Sequence, residues 1–321
     1  MSALSVSGSL GLWTGLVTAA VLTPLLARLA RRLGWLDRAE GPSAARKSQG
    51  RPVPPVGGTA VLLGLFAAWL AIRVGGGHWD PVVAAWIHPL AGALALLGAF
   101  GAGLVDDLRR HGLAPGTKLA LQSAAALPVG ISVLHHGFTT QDEVGLGLLL
   151  FACGLFLAAV LAQNAFNTFD NNDGCATSLG MCALGFTAPV LAGALVGFLP
   201  YNLNARRAHG RRGAPTAYLG DSGSHLLGML VLVTPAAWPA FALPVLDLAR
   251  VALRRWREGR RPWTADRSHL AHRLAAAGIA RPVVAALLVL VALPSIVLGA
   301  FGIIATAMLF VVAVRATPES V

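Results

Sequence analysis

Residues 144–163 read VGLGLLLFACGLFLAAVLAQ, and residues 164–174 continue as NAFNTFDNNDG. The first stretch carries no charge over 20 residues, the length a helix needs to cross ~30 Å of hydrocarbon at ~1.5 Å per residue. The second is a run of amides and carboxylates set directly against it. Asn164, Asn167, Asp170, Asn171 and Asp173 recur there at helical spacings of three and four. Holding so many polar groups beside a bilayer is costly unless they are used. An apolar span running straight into a polar motif therefore sets the architecture: membrane helices whose ends carry chemistry.

The same apolar length recurs at residues 10–29, 56–74, 88–105 and 118–136. Longer runs cover residues 178–199, 222–253 and 283–314. The expected fold is all-α, a polytopic transmembrane helix bundle of about 8–10 membrane segments, forming a single integral membrane domain over residues 1–321. The 37 glycines and 19 prolines fit this class, because membrane helices tolerate both better than soluble ones. The net charge of +11 does not point to nucleic acid, because the arginines sit in loops between apolar runs. Cys153, Cys175 and Cys182 lie in or beside apolar segments without metal-type spacing, and read as packing residues. No Lys or Arg precedes the first apolar run, so a cleaved signal peptide is not expected.

Residues 31–51, 106–118, 202–212 and 254–273 carry Arg or Lys, whereas residues 75–87 and 137–143 carry neither. The positive-inside rule places the basic loops in the cytoplasm. The N-terminus is then outside. Asp106-Asp107, residues 164–173 and the His269/His272 segment fall on the cytoplasmic face. Asp221 is ambiguous. Arg206, Arg207, Arg211 and Arg212 argue for the cytoplasm, but residues 178–199 are long enough for one crossing, which would carry Asp221 to the far side. Residues 222–253 repeat the problem, with a break at Pro235 and Pro239. Either each run is a re-entrant hairpin buried by other helices, or the acidic groups are split across the membrane. The four arginines favour hairpins.

Four further groups carry chemistry. Asp106 and Asp107 end an apolar run, and adjacent carboxylates diverge on a helix, so they suit different tasks. Lys118 and Gln122 follow on one helix face. Lys118 offers a point charge to a phosphate, or simply snorkels to the interface. Tyr218 stands three residues before Asp221 in a glycine-containing turn, Gly220-Asp221-Ser222-Gly223, whose glycines permit close approach to a ligand. Asp266-Arg267 precedes His269 and His272, which at i, i+3 would share a helix face and suit a metal or a diphosphate. Together the acidic groups suit a divalent metal and phosphate chemistry at a membrane surface.

Taken in order, these motifs resemble the polyprenyl-phosphate N-acetylhexosamine-1-phosphate transferases. Arg46-Lys47 and Pro54-Pro55-Val56-Gly57-Gly58 match the first family signature. Asp106, Asp107 and Lys118 match the second, Asn164 through Gly174 the third, Tyr218 through Ser224 the fourth, and Asp266, Arg267, His269 and His272 the last. Gln49 and Ala271 stand where the family usually has His, and Cys175-Ala176 where it has Leu-Ala. The runs flanking Asp221 are also shorter than the family's paired spans.

The resemblance implies a reaction in which a lipid phosphate, undecaprenyl phosphate or a similar polyprenyl phosphate, attacks the β-phosphorus of a UDP-amino sugar. A polyprenyl-diphosphate sugar and UMP result, serving cell-envelope polysaccharide or peptidoglycan precursor synthesis. The implied cofactor is Mg²⁺, with Mn²⁺ as the alternative, held by Asp221. Asp106, Asp107 and Asp173 would be catalytic. Lys47, Lys118, Asn164, Asn167, Asp170, Tyr218, Arg267, His269 and His272 would bind substrate, with Tyr218 stacking on uracil. The Asp-Arg-x-His loop resembles the N-acetylglucosamine branch. The resemblance also implies a bacterial inner-membrane location, multi-pass, with the active site facing the cytoplasm, and it allows a homodimer. Two rival readings are a weakened relative that binds polyprenyl phosphate or UDP-sugar without turnover, and a transporter with intramembrane carboxylates.

Overall fold

A computed structural model describes residues 6–37, 52–77, 84–109, 112–140, 145–171, 173–203, 215–264 and 266–318. The described residues are mostly helical; the only extended pairing among them is one bridge, Asp37 to Val53. Five long helices come first: α1 (Val6–Leu33), α2 (Gly57–Val74), α3 (Pro89–Leu108), α4 (Pro115–Thr140) and α5 (Leu146–Phe169). Each matches an apolar run legible in the sequence. The starts are set locally. Pro89 occupies the first turn of α3, and the His88 ring nitrogen accepts the Leu90 N–H at 3.2 Å.

The ambiguous run after α5 is a helical hairpin, α6 (Cys175–Thr187) and α7 (Pro189–Asn202). Ala188-Pro189 breaks it, because the residue before a proline avoids the α region. The turn returns the chain to its starting level: Thr177, in the first turn of α6, donates to Asn202 Oδ1 at the end of α7 (2.8 Å). The hairpin expected from the four arginines is therefore the arrangement found. At 13 and 14 residues both helices are too short to span a bilayer alone. They survive because other helices cover them. α7 lies against α1 so closely that a Cβ on Gly193 or Gly197 would run into the carbonyls of Leu12 and Leu16. Membrane helices use such small-residue spacing for backbone-close packing.

α8 (Gly220–Val233) is the pillar of the bundle. Every residue from Ser222 to Val233 is buried, so the helix has no polar face and no lipid face. Pro235 and Pro239 then impose a tight 3₁₀ segment (Pro235–Phe241), and α9 (Ala242–Arg257) brings the chain back. Phe241 meets Phe166, near the end of α5, edge-on at 5.7 Å. α10 (Leu270–Ala276) is short. α11 (Arg281–Leu298) and α12 (Ile303–Ala316) form a second hairpin about Gly299–Gly302, with Thr306 Oγ1 accepting the Ser295 N–H. Arg273 ties the end of α12 back to α10 through the carbonyls of Val314, Thr317 and Pro318.

Large apolar side chains point outward along the long helices: Val17, Val21, Leu25 and Leu29 on α1, Leu94 and Leu97 on α3, Leu150 and Leu157 on α5. In water such faces would aggregate; in lipid they are the contact surface. Seven helical stretches among the described residues are long and apolar enough to cross a membrane. The protein is a multi-pass membrane protein of the all-α class.

Candidate active site

The helices bring the separated motifs to one end of the bundle. α3 delivers Asp106 and Asp107 at its last turn, α4 delivers Lys118 at its first, α5 delivers Asn167 at its last, and α8 delivers Asp221 at its first. Lys118 is the hub. Its ammonium donates to Asp106 Oδ2 (3.4 Å), to Asn167 Oδ1 (3.3 Å) and to Asp221 Oδ2. The Asn167 amide donates to Asp221 Oδ1 (2.7 Å) and to Ser224 Oγ (3.1 Å). Lys118 is therefore no snorkelling lysine; its charge is turned inward to carboxylates.

The two adjacent carboxylates diverge. Asp106 accepts the Leu113 N–H (2.6 Å) and faces Lys118. Asp107 accepts the backbone N–H groups of Asp221 (2.8 Å) and Ser222 (2.9 Å). A carboxylate bonded to the exposed N–H groups of a helix start both caps it and complements its dipole. Asp107, expected to be catalytic, is thus committed to holding Asp221 in place. The Pro54–Gly58 turn serves the same element. Gly57 and Gly58 donate to the carbonyls of Tyr218 and Leu219 (both 2.8 Å), and Tyr218 donates to Pro54 (3.0 Å). Motifs some 160 residues apart form one backbone junction.

The rest of the polar motif lies just beyond α5. Burial, then the charges of Asp221, Asp173 and Asp107, push the Asp170 carboxyl well above the ordinary carboxylate range. Asp173 is buried and accepts from Arg281 at the start of α11 (2.6 Å). Tyr218 borders this group, and burial followed by the charges of Asp173 and Asp37 raises its phenol. Asn164 stands apart from the expected substrate contacts: its side chain is paired with Gln122 and with the Val160 carbonyl.

His269 precedes α10 in extended backbone while His272 lies within it, so the expected shared helix face is not formed. The ring of His269 is buried, with Nδ1 2.8 Å from Asp247 Oδ2 on α9. Asp247 also accepts from Leu270 N and Arg250. Arg267 is exposed on the same turn, and Ala271 is buried. Arg255 anchors the loop by a two-pronged pair to Asp266 (both 2.9 Å). Lys47, with Arg46 and Gln49, lies outside the described residues.

Burial alone would raise the Asp266 carboxyl, but the Arg255 and Ser268 donors outweigh it and hold it below the ordinary carboxylate range. A lowered native pKa gives stabilisation that is present above the unfolded value of ~3.9 and is lost as pH falls below it. The melting temperature should therefore drop more steeply below pH ~4 in the wild type than in Asp266→Asn. Equal slopes in a thermal unfolding series would show that this pair contributes nothing.

Sequence reasoning missed Asp247 and Arg281 as partners of expected site residues. Asp247 carried a signal, a carboxylate in an otherwise apolar run. Arg281 carried none.

Residues 89–237, which hold α3 to α8 and most of this cluster, match the glycosyl transferase family 4 profile. The chain is 30% identical over 319 residues to the decaprenyl-phosphate N-acetylglucosaminephosphotransferase of Mycobacterium tuberculosis (strain ATCC 25618 / H37Rv), covering 80% of this chain and 74% of that one. The chain belongs to glycosyl transferase family 4. Within the family it is also 30% identical to the Mycobacterium leprae protein of the same description, over 80% of this chain and 75% of that one. It is 25% identical to the undecaprenyl-phosphate alpha-N-acetylglucosaminyl 1-phosphate transferase of Escherichia coli (strain K12), over 87% and 78%. As a member of family 4, the protein is a glycosyl-1-phosphate transferase.

Proposed function

We propose that this family 4 member transfers N-acetylglucosamine 1-phosphate from a UDP-sugar to a polyprenyl phosphate, at the cytoplasmic face of the membrane, releasing UMP. The observation that carries this reading is the convergence of Asp106, Lys118, Asn167 and Asp221 at one end of a lipid-facing bundle. The relatives' activities on decaprenyl and undecaprenyl phosphate support the acceptor class. The transporter reading loses support, because the carboxylates of the cluster, Asp106, Asp107 and Asp221, sit at helix ends.

The chemistry needs an acceptor phosphate oxygen brought in line with the donor's β-phosphorus. The new P–O bond forms there, and the bond from the β-phosphorus to the bridging oxygen of UMP breaks. Lys118, held from both sides by carboxylates, presents a fixed positive charge where phosphates would meet. Arg281, held by Asp173, adds a second beside Tyr218. Asp107 and Asn167 fix the position of Asp221 through hydrogen bonds to its backbone and its side chain.

The donor set fits Mg²⁺. Asp221, Asp106 and the Asn167 carbonyl oxygen are hard oxygen ligands already gathered about one cationic point, the Lys118 ammonium. No cluster of three or more His, Cys, Asp or Glu in metal-holding geometry occurs among the described residues. Mg²⁺ characteristically takes one or two carboxylates and leaves the rest of its shell to phosphate and water. Asp221 would hold it, with Asp106 or Asp170 beside it. When bound, Mg²⁺ offsets the charge that develops on the diphosphate.

Membranes containing the protein, given UDP-N-acetylglucosamine and undecaprenyl phosphate, should release UMP in a Mg²⁺-dependent manner. Absence of transfer across several UDP-amino sugars would favour the relative that binds without turnover. A reporter fused after Arg212 should read cytoplasmic; an external reading overturns the proposed sidedness.

A further inference from the structure

Three site residues come from three helices: Lys118 on α4, Asn167 on α5 and Asp221 on α8. One helical turn deeper on each of the same helices lies another polar side chain: Gln122, Asn164 and His225. These three also meet. The amides of Gln122 and Asn164 pair reciprocally: Asn164 Nδ2 donates to Gln122 Oε1 (2.8 Å), and Gln122 Nε2 approaches Asn164 Oδ1 (3.4 Å). Gln122 Nε2 also lies 3.1 Å from His225 Nε2. Gln163 closes the layer from the side, its amide donating to the backbone carbonyl of Gln122 (3.1 Å). Gln122 is 1% exposed and His225 fully buried. Asn164 is half-buried, so the second polar layer is largely withdrawn from solvent and stacked directly beneath the first.

An apolar layer would have packed these helices at lower cost in desolvated polar groups. A hydrogen-bonded layer does what apolar packing cannot: it fixes rotation and axial register, because a bond near 3 Å is lost on a small slide, whereas apolar contacts re-form. The consequence falls on the layer above. The Lys118 ammonium must be shared between Asp106, Asn167 and Asp221, on three different helices, and a slip of α4 against α5 or α8 would pull it off one of them.

We propose that Gln122 and His225 are positioning residues: the Gln122–Asn164–His225 layer sets the register of α4, α5 and α8 and so holds Lys118, Asn167 and Asp221 in their working arrangement. The inference rests on the transferase reading. Both side chains are buried beneath the site residues. Their loss should therefore lower kcat and leave KM for either substrate nearly unchanged.

The test uses the full-length protein in lipid nanodiscs with UDP-N-acetylglucosamine, undecaprenyl phosphate and Mg²⁺. His225→Leu should lower kcat about 10–100-fold, the range for groups that orient a site from behind, with each KM within about threefold on the same reasoning. His225→Gln, which can again reach Gln122, should recover most of kcat. Gln122→Met is a second, volume-matched variant should His225→Leu lower the folded yield. Unchanged kcat in both apolar variants overturns the proposal. So does a loss of kcat that follows the fall in melting temperature and is not rescued by His225→Gln, since that is loss of fold alone. A wild type that releases no UMP instead removes the transferase reading, a failure seen before any variant is made.

Discussion

Asp221→Asn should reduce UMP release by about a hundred- to a thousandfold, the scale seen when a charge stabiliser at a reacting centre is removed, while leaving the protein folded. The two outcomes separate because of how Asp221 is held. Its backbone N–H, not its side chain, receives the Asp107 cap (2.8 Å), and that bond survives the substitution. Asparagine also keeps the size of the side chain and one oxygen for Lys118 or Asn167. The negative charge is what disappears. Lys118 then keeps Asp106 as its remaining charged partner (3.4 Å) and should shift toward it. The proposed Mg²⁺ site loses its principal carboxylate. The decisive measurement is initial rate of UMP release against Mg²⁺ concentration, alongside melting temperature. A variant that keeps near-normal turnover at ordinary Mg²⁺ would remove Asp221 from the metal role, whereas recovery only at high Mg²⁺ would support it, because a weakened site refills by mass action.

Gly103→Ala should abolish activity and destabilise the protein by about 1–3 kcal/mol, the range for overpacking a close interface. A Cβ at Gly103 would run into the carbonyl carbon and oxygen of Asp221 and the nitrogen of Ser222. All three are backbone atoms, so no side chain can rotate away, and α3 must move off α8. That movement breaks the cap on α8, because Asp107 sits one turn further along α3 (2.8 and 2.9 Å to the two N–H groups). It also carries Asp106 away from Lys118. A one-methyl change outside every family signature should thus be as damaging as loss of a carboxylate, with a different fingerprint: a lowered melting temperature as well as lost turnover. Gly101, two residues earlier on α3, has nothing near its Cβ position and is the control; Gly101→Ala should leave both measurements unchanged. A stable, active Gly103→Ala protein would show that the α3–α8 contact is looser than drawn.

Much of the candidate site was legible in the sequence because it depends on short-range periodicity. Asn164 and Asn167 share a face of α5, and Lys118 and Gln122 a face of α4, since three or four residues make one turn. The divergence of Asp106 and Asp107 follows from the ~100° step between neighbours on a helix. Partner identity was not legible. Nothing local says that Asp107 caps α8, that Asn164 pairs with Gln122, or that Asp247 holds His269.

By itself the sequence determined the membrane class, the positions of the long spans and the residue types that can meet phosphate and metal. Span length is a property of consecutive residues, read against a bilayer of fixed thickness. Only the tertiary structure decided that residues 178–199 fold back as a hairpin and that Asp221 joins Asp106, Lys118 and Asn167. Two short helices can lie where one long span would also fit, and the choice is made by what covers them. Here α1 admits α7 at backbone contact through Gly193 and Gly197. That packing, more than any count of apolar residues, returns the chain to the end of the bundle where the other carboxylates wait.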